Sequence, residues 1–259
     1  MIKLKERYMN IRLSASIALF CSIFSIWNAA YLFADEEEFE MNETLNAKQQ
    51  NIVAIAAFTA NGNIGKLTRA LNEGLDSGLT VNEIGEILLQ MYAYAGFPRS
   101  LNGITALSSV LEERKAGGIN DPAGAAADFL PENTDKYAMG VANLSTLTGF
   151  PLDQKKAETN GYGDAMDAFL KEHLFADIFG RNNITFRLRE LSTVAALCSL
   201  EGTNSQLMFH MNAAMNCGIS EEQMNGAIVI IEKELDSERG ENAKDVLVQV
   251  LEHRKKSHQ

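Results

Sequence analysis

The sequence is poor in the residues that mark several common classes of protein. Its 259 residues include only three cysteines, four prolines and four histidines, with no C-x-x-C motif and no glycine-rich phosphate-binding loop. Three cysteines cannot build a disulfide framework, and no two histidines have the spacing of metal ligands. We therefore expect no metal and no bound cofactor. The scarcity of proline and the 46% hydrophobic content favour a folded chain with a buried core.

Positive charge is also scarce outside the N-terminus. The formal net charge is −11, and residues 1–34 contain four basic side chains against one acidic, so the remainder is more acidic still. Such a surface repels the phosphate backbone of nucleic acids. We expect no nucleic-acid partner.

The N-terminus has the layout of a secretory signal peptide. A basic stretch precedes the apolar run Leu13 to Ala34, and acidic residues follow from Asp35. We predict a signal peptide over 1–34, cleaved after Ala34, with Met1 or Met9 as the start, and a periplasmic or secreted protein. The alternative is an uncleaved membrane anchor, because the run is long enough to span a bilayer.

The rest of the chain contains an internal repeat. An offset of 140 residues, without gaps, superimposes residues 50–114 on 190–254, and seven of the seventeen positions from 98 to 114 are identical. Thr80 and Ser220 begin equivalent capping boxes. Apolar spacing predicts four helices in each copy, including one from Thr80 to about Gly96, and no sheet. We predict an all-α protein with a first repeat over 45–118, a partly helical linker over 119–164 and a second repeat over 165–256.

Both repeats resemble the carboxymuconolactone decarboxylase family. The resemblance is carried by GLTVNEIGEILLQMYAYAGFPRSLNG in the first repeat and by FLKEHLFADIFGRNNITFRLREL and RELSTVAALCSLEGTNSQLMFHMNAAMNCGISEEQ in the second. It implies alkylhydroperoxidase-like (AhpD-like) helical subunits that assemble around small-molecule sites. For a chain with two copies, it implies a homo-oligomer, a trimer with pseudo-sixfold packing.

Two chemistries are implied by this family. One is cofactor-free decarboxylation or isomerisation of small lactone acids, and the other is peroxide reduction by a C-x-x-C thiol pair. The corresponding stretch here, EGTNSQLMFH, has no cysteine, and Cys198 and Cys217 lie on different predicted helices. Thiol chemistry requires a thiolate, so the peroxidase is the weaker alternative. Whether the two cysteines pair with each other is left open by the sequence.

The resemblance places the candidate acid–base residues in the second repeat. His210 occupies the family's histidine position and can move protons near neutral pH. Glu190, at the start of a predicted helix, could orient His210 or act as a base. The alternatives are a packing histidine, a carboxylate favoured by the helix dipole, and a surface ion pair of Glu190 with Arg189.

The first repeat has Gln50 and Ala70 at the equivalent positions, and neither can do acid–base chemistry. It keeps instead an aromatic segment followed by a turn. We predict a composite site in which the first repeat supplies the residues that bind substrate, with Arg189 as a further candidate from the second. Arg99 would pair with a substrate carboxylate, although a structural role shared with Arg239 is the alternative. The predicted substrate-binding residues are Tyr94, Phe97, Arg99 and Arg189.

The sequence therefore predicts a cofactor-independent enzyme that acts on a small carboxylated lactone or enol-lactone by His210 and Glu190 chemistry. The rival is a non-catalytic binding or assembly protein of the same fold, because each repeat has lost half of the site.

Overall fold

In a computed structural model of the chain, the structure describes residues 44–153 and 162–257. The predicted signal peptide and its cleavage site lie outside these ranges. The described residues form helices and no strand, as the sequence predicts. The helices are α1 (Ala47–Asn61), α2 (Ile64–Asp76), α3 (Val81–Gln90), α4 (Tyr92–Ala95), α5 (Phe97–Ala116), α6 (Lys136–Thr148), α7 (Tyr162–Ala168), a π-helix (Phe169–Ile178), α8 (Phe186–Cys198), α9 (Asn204–Asn216), α10 (Glu221–Glu234) and α11 (Ser237–Ser257).

The duplication is visible in the backbone. Helices α2 and α9 begin and end 140 residues apart, and α5 and α11 begin at the same offset. Thr80 and Ser220 both accept a backbone hydrogen bond within a capping box. Gly78 and Gly218 follow α2 and α9 with φ of 94° and 95°, a left-handed conformation that favours glycine. The two repeats therefore share local backbone geometry as well as helix order.

The core is built around α1 and α8, which are equivalent helices of the two repeats. Every residue of α8 from Arg187 to Cys198 is buried, and α1 is buried continuously from Ile52 to Ala60. A helix that is buried on all sides belongs to the centre of a domain. The two helices pack on each other, and the third helix of each repeat contacts both of them. The two repeats therefore share one core.

The third helical segment differs between the repeats. The second repeat has one continuous helix, α10, whereas the single helix predicted from Thr80 to Gly96 is broken at Met91 into α3 and the four-residue α4. Gly96 ends α4 with φ 82° and ψ 159°, a region that only glycine enters readily. The aromatic residues of α4 contact the second repeat, Tyr94 at His210 and Tyr92 at His173.

The predicted linker, residues 119–164, contains helix α6, and the π-helix lies at the start of the second repeat. Helix α6 packs against the π-helix so closely that a Cβ at Gly140 would lie 1.8 Å from the carbonyl oxygen of Lys171. The Asn143 amide donates to the carbonyl of Phe175 at 2.7 Å. An apolar cluster joins these elements to α9, and Tyr92 and Tyr94 pack on it; its buried members are Leu147, Leu174, Phe175, Ile178, Phe179 and Ala213.

Within the residues that the structure describes, no helix is long and apolar enough to cross a membrane.

Candidate functional site

Glu190 and His210 form a buried hydrogen-bonded pair. Glu190 lies on α8 and His210 on α9, and the packing of these helices brings Oε2 of Glu190 within 2.8 Å of His210 Nδ1. Glu190 is 0% exposed and His210 is 5% exposed. Thr185 caps α8, so Glu190 falls in the second turn, where the helix dipole has little effect. The pairing with His210, rather than the dipole, accounts for the position of this carboxylate.

Aromatic rings enclose the imidazole of His210. Tyr94, from the first repeat, meets it edge-on at a centroid distance of 5.3 Å, and Phe209 does so at 5.0 Å. Tyr94 was predicted from the sequence, whereas Phe209 was not. The one sequence feature that pointed to Phe209 was its position next to His210.

Two polar atoms beside the pair have no hydrogen-bond partner among the described residues. They are Oε1 of Glu190 and the hydroxyl oxygen of Tyr94, and both are buried. Thr193 lies beside the tyrosine hydroxyl, but its own hydroxyl donates to the Arg189 carbonyl and accepts from Gln90. Burial, together with the charge of Glu190, raises the pKa of Tyr94, so that the phenol remains a neutral donor. The free oxygens are suited to a small polar group.

The side chain of Arg189 is buried and hydrogen-bonded to other residues of the protein. It is fully buried and donates to Gln90 Oε1 at 3.0 Å, to Glu86 Oε1 at 2.9 Å and to the Arg181 carbonyl at 2.7 Å. Burial lowers the pKa of Arg189, and the nearby Glu86 opposes this change. The surface ion pair with Glu190 is wrong, because both residues are buried and their side chains have different partners. The contacts of Arg189 give no support to its predicted role in substrate binding.

Arg99 holds the end of a central helix. Its Nη1 donates to the carbonyl of Ala60 near the end of α1, and Arg239 donates from Nε to the Ser199 carbonyl at the equivalent place in the second repeat. This geometry favours the shared structural role over pairing with a substrate carboxylate. Phe97 is 63% exposed and stacks on Tyr92 with ring centroids 4.6 Å apart.

A second set of carboxylate, histidine and tyrosine lies on the other side of α4. On the π-helix, His173 Nδ1 is 2.9 Å from Asp177 Oδ2, and His173 Nε2 contacts the Tyr92 hydroxyl. Lys136 also pairs with Asp177, at 2.8 Å. Burial opposes ionisation of Asp177, but the hydrogen bonds from Lys136 and His173 lower its pKa below the usual value. This set was not predicted, because the sequence does not show that the π-helix lies against Tyr92.

The equivalent place in the first repeat is an open cleft of about 310 Å³. Gln50 stands where the second repeat has Glu190, and Glu234 of α10 stands where the first repeat has Tyr94. Arg69 pairs with Glu234 at 2.6 Å across this cleft. The two repeats thus place different chemistry at matched positions.

The described residues contain no group of three or more histidine, cysteine or acidic side chains that could hold a metal. Cys198 and Cys217 are not joined in a disulfide. Burial raises the pKa of the Cys198 thiol to about 12, so this thiol stays protonated near neutral pH. Thiolate chemistry finds no support at Cys198.

Comparison with known families identifies the chain. The model of the carboxymuconolactone decarboxylase family matches twice, over residues 27–108 and 164–247, and the first match begins inside the predicted signal peptide. No curated protein matches the sequence. The two matches cover more than half of the chain and separate the two repeats that the backbone shows. The protein therefore belongs to the carboxymuconolactone decarboxylase family, as a member with two tandem copies.

Proposed function

We propose that this protein is a cofactor-independent acid–base enzyme that decarboxylates or isomerises a small carboxylated lactone or enol-lactone. The observation that carries the proposal is the buried pair of Glu190 and His210. A carboxylate and a histidine held together out of water are the groups that such chemistry requires. Family membership supports the general reaction class, and the choice of substrate rests on the proposal alone.

In this proposal, the hydrogen bond between His210 and Glu190 decides which imidazole nitrogen meets the substrate. Glu190 Oε2 accepts a hydrogen bond from Nδ1–H of His210, which leaves Nε2 as the nitrogen that exchanges protons with substrate. In an isomerisation, Nε2 removes a proton from one carbon and returns it to another. In a decarboxylation, the carbon–carbon bond breaks, CO2 leaves, and the electron pair enters an enolate that the imidazolium then protonates at carbon. Glu190 stabilises the imidazolium in both reactions.

Tyr94 supplies a neutral hydrogen-bond donor in this scheme. Its hydroxyl is buried without a partner, and its raised pKa keeps the proton in place. A donor directed at the enolate oxygen stabilises charge that develops only during the reaction. The free oxygen of Glu190 is available to a hydroxyl group or a water molecule of the same complex.

The test is a screen of lactone acids that follows CO2 release and ultraviolet absorbance. We expect the wild-type protein to turn over at least one compound and His210→Ala to lower kcat by at least about 100-fold. His253→Ala, on the C-terminal helix, is the control and should retain activity. A His210→Ala variant that works at the parent rate would refute the assignment.

A specific observation also favours the rival function, a non-catalytic binding or assembly protein. His210 is almost fully covered, and its ring lies between Tyr94 and Phe209. Binding of a lactone acid without turnover, unaffected by His210→Ala, would support this rival. The enzyme therefore requires a way to open the site.

We also propose that the protein is a homo-oligomer, with a trimer as the expected form. Three apolar residues of α5, spaced four and three apart and thus on one face, are exposed: Phe97, Leu101 and Ile104. The matched positions of α11 are Ser237, Glu241 and Lys244, which need no cover. An exposed apolar stripe on α5 that is not repeated at the matched positions of α11 supports burial against another copy. Light scattering should show that Leu101→Glu lowers the molecular mass of the assembly, whereas Val248→Glu on α11 should not.

Export is the remaining part of the proposal. It rests on the basic, apolar and acidic order of residues 1–40. N-terminal sequencing of the mature protein from the periplasm or culture medium is the test, with Asp35 as the expected first residue. An intact N-terminus in the cytoplasmic fraction would contradict it.

A further inference from the structure

The Glu190–His210 pair is almost completely covered in this conformation. Glu190 is wholly buried and His210 nearly so, and Tyr94 lies edge-on against the imidazole. If His210 exchanges protons with a substrate, an element that covers it has to move.

Helix α4 is the shortest of the described helices, and it carries one of the two rings that lie against His210. It has four residues, Tyr92–Ala95, and none of them is fully buried. It is separated from α3 by Met91 and from α5 by Gly96, whose backbone conformation belongs to glycine. In the second repeat the same stretch is part of the continuous helix α10. The first repeat thus has a short segment with a boundary at each end, and this segment carries Tyr94.

The two tyrosines of α4 each contact a carboxylate–histidine pair. Tyr94 contacts His210, whereas Tyr92 contacts Nε2 of His173. Asp177 accepts from Nδ1 of His173, so Nε2 is the nitrogen that accepts the Tyr92 hydroxyl proton. The phenol ring of Tyr92 also stacks on Phe97, just beyond Gly96. Helix α4 is therefore held by two contacts: the hydrogen bond of Tyr92 to His173 near the surface, and the ring of Tyr94 against His210 in the interior.

We propose that Tyr92, His173 and Asp177 form a latch that keeps α4 closed over the Glu190–His210 pair, and that substrate enters when Tyr92 separates from His173. The inference rests on the proposed function, since it takes His210 as the group that substrate must reach. His173 and Asp177 are positioning residues, because they act through Tyr92. Tyr92 of the latch lies in the first repeat, and His173 and Asp177 lie on the π-helix at the start of the second repeat, which also contains the Glu190–His210 pair.

Chemical labelling of His210 tests the latch without a substrate. The full-length protein is treated with diethyl pyrocarbonate, and modification of the His210 peptide is followed by mass spectrometry. Tyr92→Phe removes one hydroxyl and keeps the ring that stacks on Phe97, and His173→Ala removes the acceptor. Loss of one hydrogen bond should raise the rate of His210 modification roughly two- to tenfold in either variant.

Two controls separate opening of α4 from general loosening. Labelling of the buried Cys198 thiol reports global unfolding, and it should not change in the latch variants. Lys136→Ala removes a partner of Asp177 but leaves the contact of His173 with Tyr92, and it should leave the His210 rate within about twofold of wild type.

An unchanged rate of His210 modification in both Tyr92→Phe and His173→Ala would overturn the latch. So would a rise at His210 that Cys198 matches in proportion, because the whole protein would then be opening. These outcomes are independent of the proposed reaction. If the variants expose His210 as expected but the lactone screen shows no turnover, the latch stands and the proposed reaction is refuted.

Discussion

The two repeats differ most at one pair of matched places. In the second repeat, Glu190 and His210 are buried and hydrogen-bonded, and Tyr94 covers them. In the first repeat, the same place is a cleft where Arg69 and Glu234 pair across an opening. The duplicated backbone provides two equivalent positions, and the side chains leave one buried and the other open to solvent.

The difference also shows how the repeats depend on each other. Each place receives a residue from the third helical segment of the opposite repeat, Tyr94 in one case and Glu234 in the other. The buried ion pair of Glu86 and Arg189 joins the repeats on one side, and the matched residues Gly226 and Gln49 cannot form it on the other. One repeat alone would lack a cover for its own site.

The largest expected effect comes from making the second repeat resemble the first. Glu190→Gln keeps the size of the side chain but removes the charge that stabilises an imidazolium at His210. We expect kcat to fall about 10²- to 10⁴-fold on a substrate found in the screen. The matched change Gln50→Glu in the first repeat should leave kcat unchanged. Equal effects of the two variants would remove the functional difference between the repeats.

The next effect concerns the ion pair that joins the repeats. Glu86→Ala leaves the fully buried Arg189 without its carboxylate partner, and it should lower the free energy of unfolding by about 3–5 kcal/mol. Glu234→Ala breaks the partly exposed pair with Arg69 and should cost less than about 1 kcal/mol. Urea denaturation measures both. Similar losses would show that burial does not distinguish the two pairs.

A smaller effect is expected at the break that only the first repeat contains. Gly96→Ala forces a side chain into φ 82° and should lower the free energy of unfolding by about 1–3 kcal/mol. Gly85→Ala lies within α3 with no atom close to the added methyl group, and it should raise stability by about 0.5–1 kcal/mol. Thermal unfolding of the two variants gives the comparison. A stabilising Gly96→Ala would mean that α4 does not need this conformation.

Much of this architecture was predictable because its signals are local. The capping boxes at Thr80 and Ser220 and the glycines after α2 and α9 fix helix ends within a few residues. The repeat at a constant offset then predicted equal helices in both halves. A role for Glu190 in orienting His210 was a hypothesis from the sequence, and the packing of consecutive helices α8 and α9 brings the two side chains together.

Other parts of the site could not be predicted, because they depend on contacts between distant segments. Arg189 was a candidate for binding substrate, but its two terminal nitrogens donate to Gln90 and Glu86, about 100 residues earlier. Arg99 was another, and it contacts the end of α1. The contact of His173 with Tyr92 depends on how the π-helix lies against α4. These contacts cannot be inferred from the spacing of residues along the sequence.

The sequence by itself determined the helices, their duplication and the residues able to transfer protons, because propensity, capping and residue chemistry act over a few neighbouring positions. The tertiary structure decided which of those residues meet, which charges are buried and which element covers the pair, because these depend on the packing of one repeat against the other. His210 is a titratable side chain in the sequence. Only the fold gives it Glu190 on one side and the ring of Tyr94 on the other.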